Sequence, residues 1–349
     1  MNKSETTLNW PVLGNEHIVK FLAKSISNNK IAGTFIFAGP DDLGKTTIAN
    51  YFAFSLLCQS KNECLPCGKC PACRQNQIGR LKKNEDTFES VHADLHLIKR
   101  EKDKKNIAIS QVRDFIHSLE MSSFLNSYKI GIIKNAESLS DEAANALLKT
   151  LEEPKNKVII ILITSDLDAL PKTISSRSQI LKFHPVKTEL IYDYLIKNHQ
   201  ASRSQAKNLS RLCLGRPALA IKFLEDKIFY ENYLKRVKAF LTFFDEDINT
   251  RFELINELLP NKLVGQEVVK LAKRIIEIWH GLTRDLLLLK FDQLDLVQHE
   301  IVMQELEDKK NKCSTGALLN LSIALKQAEE YLKANVNPKT ALEGVAMGI

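Results

Sequence analysis

The sequence predicts an α/β fold: a mostly parallel sheet with helices on both faces, followed by an all-helical region. Three observations carry this. Short apolar runs alternate with helical periodicity through the first half of the 349 residues. A glycine-rich GxxxxGKT segment follows the first of these runs. Beyond about residue 185 the strand-like runs stop, and long amphipathic segments rich in Leu, Lys and Glu take over.

The strand candidates, in order, are 34–37 (TFIF), 95–98 (LHLI), 130–133 (IGII), 158–164 (VIIILIT) and 180–183 (ILKF). β-branched enrichment in the third and fourth fits strands buried on both sides. Between the strands lie helical patterns such as Ile18, Leu22 and Ile26. Past Pro185, 189–198 and 204–213 read as short helices, and Pro260 and Pro338 interrupt the long helical stretch that starts near Lys227. The expected division is a nucleotide-binding-type domain over 1–185, a small helical lid over 186–226 and a helical collar over 227–349. There is no internal repeat. The charge run at 99–106 (KREKDKKN) reads as a solvated loop.

Composition narrows the class. Hydrophobic residues at 44% and charged residues at 26% exclude a mostly disordered or collagen-like chain. Lys and Arg exceed Asp and Glu by 49 to 42; the resulting +7 permits a polyanionic partner without specifying one. No apolar run follows Lys3, so the N-terminus does not read as a signal peptide. The longest aliphatic run, 158–163, falls far short of the roughly 20 residues of a membrane span. The expectation is a cytoplasmic protein with no membrane partner.

The chemistry begins at 39–47, GPDDLGKTT. Gly39 and Gly44 let the backbone curl so that successive N–H groups face phosphate oxygens, and the following helix presents its positive end to the same anion. Lys45 would reach the β/γ-phosphates of ATP or ADP and Thr46 would sit on Mg²⁺, with Thr47 beside it. Hydrolysis also needs an acidic pair at the end of another strand, an Asp for the metal and a Glu for the attacking water. After 130–133 those positions hold Lys134 and Asn135. Asp141 and Glu142 follow Ser140 and read as ordinary helix-start chemistry. At about 4 Å and an effective dielectric of about 20, each unit charge contributes about 4 kcal/mol. An ammonium in place of the carboxylate therefore counts against Mg²⁺ and against hydrolysis, while leaving nucleotide binding open.

Five of the seven cysteines lie between Cys58 and Cys73. Cys58, Cys67, Cys70 and Cys73 follow C-x8-C-x2-C-x2-C, a spacing that brings four thiolates within reach of one tetrahedral Zn²⁺. Pro66, Gly68 and Pro71 supply the turns. Four thiolates leave no open position, so the zinc would be structural. Cys64 breaks the register and could replace Cys58. Cys213 and Cys313 stand alone in helical patterns and read as core residues.

Together these features resemble the bacterial DNA polymerase III clamp-loader subunits of the AAA+ class, over about residues 10–225. The most specific stretch is 143–154 (AANALLKTLEEP), continuing through 170–179 (LPKTISSRSQ). The resemblance implies an AAA+ P-loop domain with a zinc-module insertion, a lid and a collar. In the family the run ends in Ser-Arg-Cys, whose arginine projects into a neighbouring subunit's nucleotide site; here it reads Ser176-Arg177-Ser178, with the arginine kept. On that pattern Arg177 would act in trans. Its alternative is a pair with a surface carboxylate. Thr164 resembles the family's nucleotide-sensing residue, or is a strand-end hydroxyl closing its turn. Residues 10–14 (WPVLG) resemble the segment that packs on adenine, or bury Trp10. Trp279 and 286–289 read as collar core.

Within the family, the gamma/tau motor keeps the acidic pair, whereas delta-prime has lost hydrolysis and donates the arginine. Lys134, Asn135, the chain length and Gly215-Arg216-Pro217 favour delta-prime. The intact GKT departs from delta-primes whose phosphate loop is degenerate. The implied partners are gamma/tau and delta in a hetero-pentamer, the sliding clamp, and primed DNA. Three alternatives stay open: an active ATPase motor using another acid, a free-standing nucleotide sensor, and a zinc-dependent nucleic-acid binding protein.

Overall fold

The computed structural model describes residues 7–8, 10–60, 64–75, 92–101, 104–121, 123, 128–153, 157–260 and 265–349. Lys3, Pro154 and the middle of the charge run (Lys102 and Asp103) lie outside them. The chain divides into two compact units. One is Met1–Leu190 with Arg216–Ala218; the other is Ile191–Gly215 with Leu219–Ile349. Of the span 186–226 expected as a lid, 186–190 and 216–218 fall in the first unit and the rest in the second.

The strands are β1 (Thr7–Leu8), β2 (Thr34–Ala38), β3 (Cys64–Leu65), β4 (Leu95–Ile98), β5 (Lys129–Lys134), β6 (Val158–Thr164) and β7 (Gln179–Lys182). Five form one sheet in the order β4-β5-β6-β2-β7, and every pairing is parallel. All five sheet strands expected from the sequence are present, with ends shifted by at most one residue. The order also explains their composition. β2 and β6 lie in the interior and are buried at every position, so both read as continuous apolar runs. The edge strands β4 and β7 are only partly buried.

Two apolar layers cover the faces. On one face, Phe35, Phe37, Ile130, Ile132, Ile159 and Ile161 pack with Phe52, Leu22 and Trp10. On the other, Ile36, Ile133, Ile160 and Leu162 pack with Phe115, Leu119, Leu147 and Ile174. The helix Lys45–Leu57 is buried at every position from Ile48 to Leu57, which is why its pattern is apolar all round rather than striped. Outside the sheet, β1 pairs with β3 in parallel and joins the N-terminal segment to the cysteine-rich insertion. Nothing in the residue pattern marks this two-residue ladder.

Among the described residues the second unit is helical. The 25-residue helix Gln266–Lys290 lies at its centre, packed against Lys227–Thr242, Met303–Lys312, Thr315–Lys333 and Pro338–Ala346. Trp279, Leu286 and Leu289 are buried there, as read from the sequence. The Trp279 indole N–H donates to the Arg236 carbonyl at 3.2 Å. Phe240 and Phe243 pack on the same ring, at centroid separations of 5.7 and 5.1 Å. One buried polar group inside this unit is internally paired. Asp285 accepts backbone N–H groups from Gln298 and His299, and its Oδ2 lies 2.7 Å from His299 Nδ1. The His299 ring reaches Tyr233 Oη at 2.7 Å. Cys213 is buried, whereas Cys313 is half-buried just beyond the helix Met303–Lys312, so only the first is a core residue. No helix among the described residues is long and apolar enough to cross a membrane.

A glycine in β5 exposes how closely the covering helix approaches. A Cβ on Gly131 would lie 2.3 Å from Phe115 Cζ and 2.9 Å from Leu119 Cδ1, both on the helix Ile109–Glu120. Gly131→Ala is expected to destabilise the first unit by about 1–3 kcal/mol through overpacking. The check is a urea titration followed by Trp10 fluorescence in a Trp279→Phe background.

Candidate functional site

The phosphate loop leaves β2 at Ala38 and is gripped from both sides. The Gly39 N–H donates to the Thr164 carbonyl on β6 at 3.3 Å, and the Phe183 N–H after β7 donates to the Ala38 carbonyl at 2.8 Å. Gly39 has φ +143°, and a Cβ there would lie 2.6 Å from the Phe183 carbonyl oxygen. Glycine is thus required twice, by conformation and by space. Gly44 caps the next helix in the left-handed region at φ +86°. This places the loop at the carboxyl ends of the strands, where open α/β sheets bind their ligands.

Lys45 is buried, and its ammonium points back into the loop. It donates to the Gly39 carbonyl and, at 2.7 Å, to the Pro40 carbonyl, and it lies 3.6 Å from Asp41 Oδ1. Burial pulls its pKa below the ordinary lysine value, against the attraction of Asp41, Glu137 and Asp42. Thr46 and Thr47 are half-buried at the helix start. The Asp42 carbonyl accepts the Ala218 N–H at 3.1 Å, so the 216–218 tripeptide after Gly215 closes on the loop. The loop as built can present N–H groups, one lysine and two hydroxyls to a polyphosphate.

β5 ends as the sequence indicates, at Lys134, with Asn135 directly after it. Asn135 then adopts φ 55° and a 3-10 turn follows at Ala136–Ser138. Ser140 caps the next helix by accepting the Ala143 N–H at 3.2 Å, so Asp141 and Glu142 are helix-start acids. The turn brings in a carboxylate that sequence reasoning missed. Glu137 Oε1 accepts from Ser165 Oγ at 3.2 Å and Glu137 Oε2 from the Ser165 N–H at 3.4 Å, directly after β6. The available signal was Asn135, a residue type that tolerates the left-handed conformation and so permits a reversal. Thr164 does not face outward: its hydroxyl donates to the Asp166 carbonyl at 2.7 Å and accepts the Asp166 N–H at 3.1 Å.

The cysteine cluster forms from the end of the helix Lys45–Leu57 and the short helix Pro71–Gln75. The sulfurs of Cys58, Cys67, Cys70 and Cys73 all lie within 4.8 Å of one another. Cys58 to Cys70 and Cys67 to Cys73 are both 3.9 Å. A tetrahedron with metal–sulfur bonds of about 2.3 Å has edges of about 3.8 Å, so the group fits a metal ion such as zinc. Backbone N–H groups of Cys67, Cys70 and Cys73 point at the sulfurs of Cys58, Cys67 and Cys70, at 3.5, 3.4 and 3.4 Å. Donors from Lys69 and Cys70 pull the Cys67 thiol down to about 6. Burial pushes Cys58 and Cys73 up. Cys64 is exposed on β3 and outside the group, whereas Cys58 lies within it.

Comparison with known proteins agrees with this geometry. Residues 14–187 match the family model described as DNA polymerase III, delta subunit. The chain is 26% identical over 358 aligned positions to DNA polymerase III subunit tau of Bacillus subtilis, covering 95% of this chain and 59% of tau. It is 32% identical over 184 positions to subunit gamma of Buchnera aphidicola from Acyrthosiphon pisum, covering 53% of this chain and 47% of gamma. It is 24% identical over 332 positions to subunit delta' of Bacillus subtilis, covering 95% of this chain and 94% of delta'. These matches group the chain with the DNA polymerase III clamp-loader subunits of the AAA+ type. It spans about half to three-fifths of the tau and gamma relatives and nearly all of the delta' relative.

Two segments that resemble clamp-loader motifs have definite positions here. Arg177 lies in the turn between the helix Lys172–Ser175 and β7. Its Nη2 pairs with Glu152 Oε1 at 2.7 Å and its Nη1 donates to the Thr173 carbonyl at 3.0 Å. Both side chains of the pair are more than a third exposed (38% and 49%), so the contact holds Arg177 weakly. Within the 10–14 segment, Trp10 is buried: its indole N–H donates to Ser55 Oγ at 3.2 Å and it packs near Tyr51 and Phe52. Val12 lies near Gly44 instead, 3.8 Å from where its Cβ would be.

Elemental analysis of the purified chain is expected to return one zinc per molecule. Cys70→Ser should abolish it and Cys64→Ser should retain it; full zinc in the Cys70 variant would point to a different ligand set.

Proposed function

We propose that this chain is a delta-prime-like subunit of the DNA polymerase III clamp loader, working within a cytoplasmic assembly that places a sliding clamp on primed DNA. It would bind ATP or ADP at Gly39, Gly44, Lys45, Thr46 and Thr47 without turning it over. The observation that carries the reading is the end of β5. Where a hydrolysing site needs a metal-binding Asp and a water-polarising Glu, this strand ends in Lys134 and Asn135.

On this reading the chain's chemical contribution is made in trans. Arg177 would leave its exposed pair with Glu152 and face a neighbouring subunit's nucleotide, where a cation stabilises the charge developing on the transferred phosphoryl group. The cysteine cluster would hold structural Zn²⁺ with no open coordination position. Partners would be gamma/tau and delta, with the second unit's helices joining the hetero-pentamer.

The lone chain with ATP and Mg²⁺ is expected to show no steady-state turnover; clear hydrolysis would favour a gamma/tau-like motor. Arg177→Ala should leave a reconstituted assembly intact by size-exclusion chromatography while lowering its ATPase. The loss at the site that Arg177 serves is expected to be about 10³-fold or more. An unchanged rate would remove the trans role.

A further inference from the structure

The acid missing from the end of β5 has a candidate replacement three residues later. We propose that Glu137 is the carboxylate that holds the divalent cation of a nucleotide bound at the phosphate loop, so that this chain takes nucleotide as its Mg²⁺ complex. The proposal rests on nucleotide binding at Gly39–Thr47, as proposed above, and is independent of whether hydrolysis follows.

The geometry runs through backbone. Glu137 accepts the Ser165 N–H and hydroxyl. Ser165 follows Thr164, whose carbonyl takes the Gly39 N–H, and the Gly39 carbonyl takes the Lys45 ammonium. The carboxylate is thus tied to the strand end that starts the phosphate loop, reached from β5 across β6. Its attraction is felt by the Lys45 ammonium itself.

The turn that carries Glu137 is fixed. The Ser138 N–H donates to the Asn135 carbonyl at 2.8 Å, and the Leu139 N–H to the Ala136 carbonyl at 3.1 Å. From outside, the Ile107 N–H donates to the Ser138 carbonyl at 2.7 Å and the Ile107 carbonyl accepts the Ser140 N–H at 3.3 Å. Asn135 Nδ2 donates to Glu137 Oε1 at 3.4 Å, so the residue standing in the usual Glu position orients the displaced acid.

The donor set suits Mg²⁺. That ion keeps several waters and is held in nucleotide sites by one or two carboxylates plus substrate phosphates. A carboxylate offers about four acceptor sites. Glu137 uses two on Oε1 and one on Oε2, all at 3.2–3.4 Å, leaving a site for an ion or its water. A single carboxylate with Lys134 on the same strand end gives a smaller preference for the metal complex than an acidic pair would.

The test is a titration of the purified full-length chain with a fluorescent ATP analogue, in EDTA and in excess Mg²⁺. Hydrolysis is followed in the same samples. Wild type is expected to bind at least about tenfold tighter with Mg²⁺, and Glu137→Gln to bring the two affinities within about threefold, since one charge interaction at the metal is lost. Glu142→Gln, which removes a helix-start acid five residues further along the chain, should keep the wild-type ratio. Ser165→Ala, which loosens Glu137 without removing its charge, should lower the ratio partway; its folding is checked by circular dichroism alongside Glu137→Gln. An equal ratio in wild type and Glu137→Gln would overturn the assignment. So would a wild-type ratio near one, or loss of the ratio in Glu142→Gln instead. Absence of all nucleotide binding would overturn this assignment together with the nucleotide part of the proposed function. Steady turnover with an intact ratio would overturn the non-hydrolysing reading alone.

Discussion

The first unit is organised around the grip on the start of the phosphate loop. β2 lies between β6 and β7, and both neighbours hold the residues where it ends: Thr164 through the Gly39 N–H, Phe183 through the Ala38 carbonyl. The Phe183 carbonyl passes so close to Gly39 that no side chain fits. This fixes where the chain turns out of the sheet, and hence where the helix Lys45–Leu57 begins. That helix in turn supplies Ile48, Phe52 and Leu57 to one apolar layer and leads into Cys58, the first cysteine of the four-sulfur group. One backbone constraint therefore positions both the phosphate loop and the cysteine cluster.

Charge at the loop follows the same geometry. Burying an ammonium is costly unless oxygen atoms surround it, and Lys45 finds carbonyls in its own loop and Asp41 beside it. A bound polyphosphate would offer the same cation stronger, charged acceptors. Glu137 extends this arrangement from the far side, through Ser165. Past the end of β5, the left-handed Asn135 and a short turn bring the Glu137 carboxylate to Ser165, directly after β6.

The helical unit follows a different principle. Its aromatic cluster around Trp279 carries no titratable chemistry, and its buried polar group of Asp285, His299 and Tyr233 is internally matched. A buried carboxylate left unpaired would cost more than its removal, so the three side chains and the backbone N–H groups of Gln298 and His299 act together to fix how the 297–299 segment lies on the helix Gln266–Lys290.

The sequence by itself determined the strands, because the interior ones are buried on both faces and must be apolar throughout, as 34–37 and 158–164 are. It also determined the phosphate loop and the C-x8-C-x2-C-x2-C spacing, because loop backbone and metal coordination each demand particular residue types at short separations. It marked Lys134 and Asn135 as wrong for a metal-binding strand end on charge alone. Tertiary structure decided what depends on atoms far apart in the chain. It set Cys58 against Cys64, because only one sulfur reaches the group. It buried Trp10 beneath Tyr51 and Phe52, turned the Thr164 hydroxyl onto its own loop, and paired Arg177 with Glu152. It brought Glu137 to Ser165, 28 residues away, because β5 and β6 are neighbours in the sheet. Linear spacing carries no trace of that adjacency, since a parallel pairing is set by the crossover between the strands and not by the residues that end them.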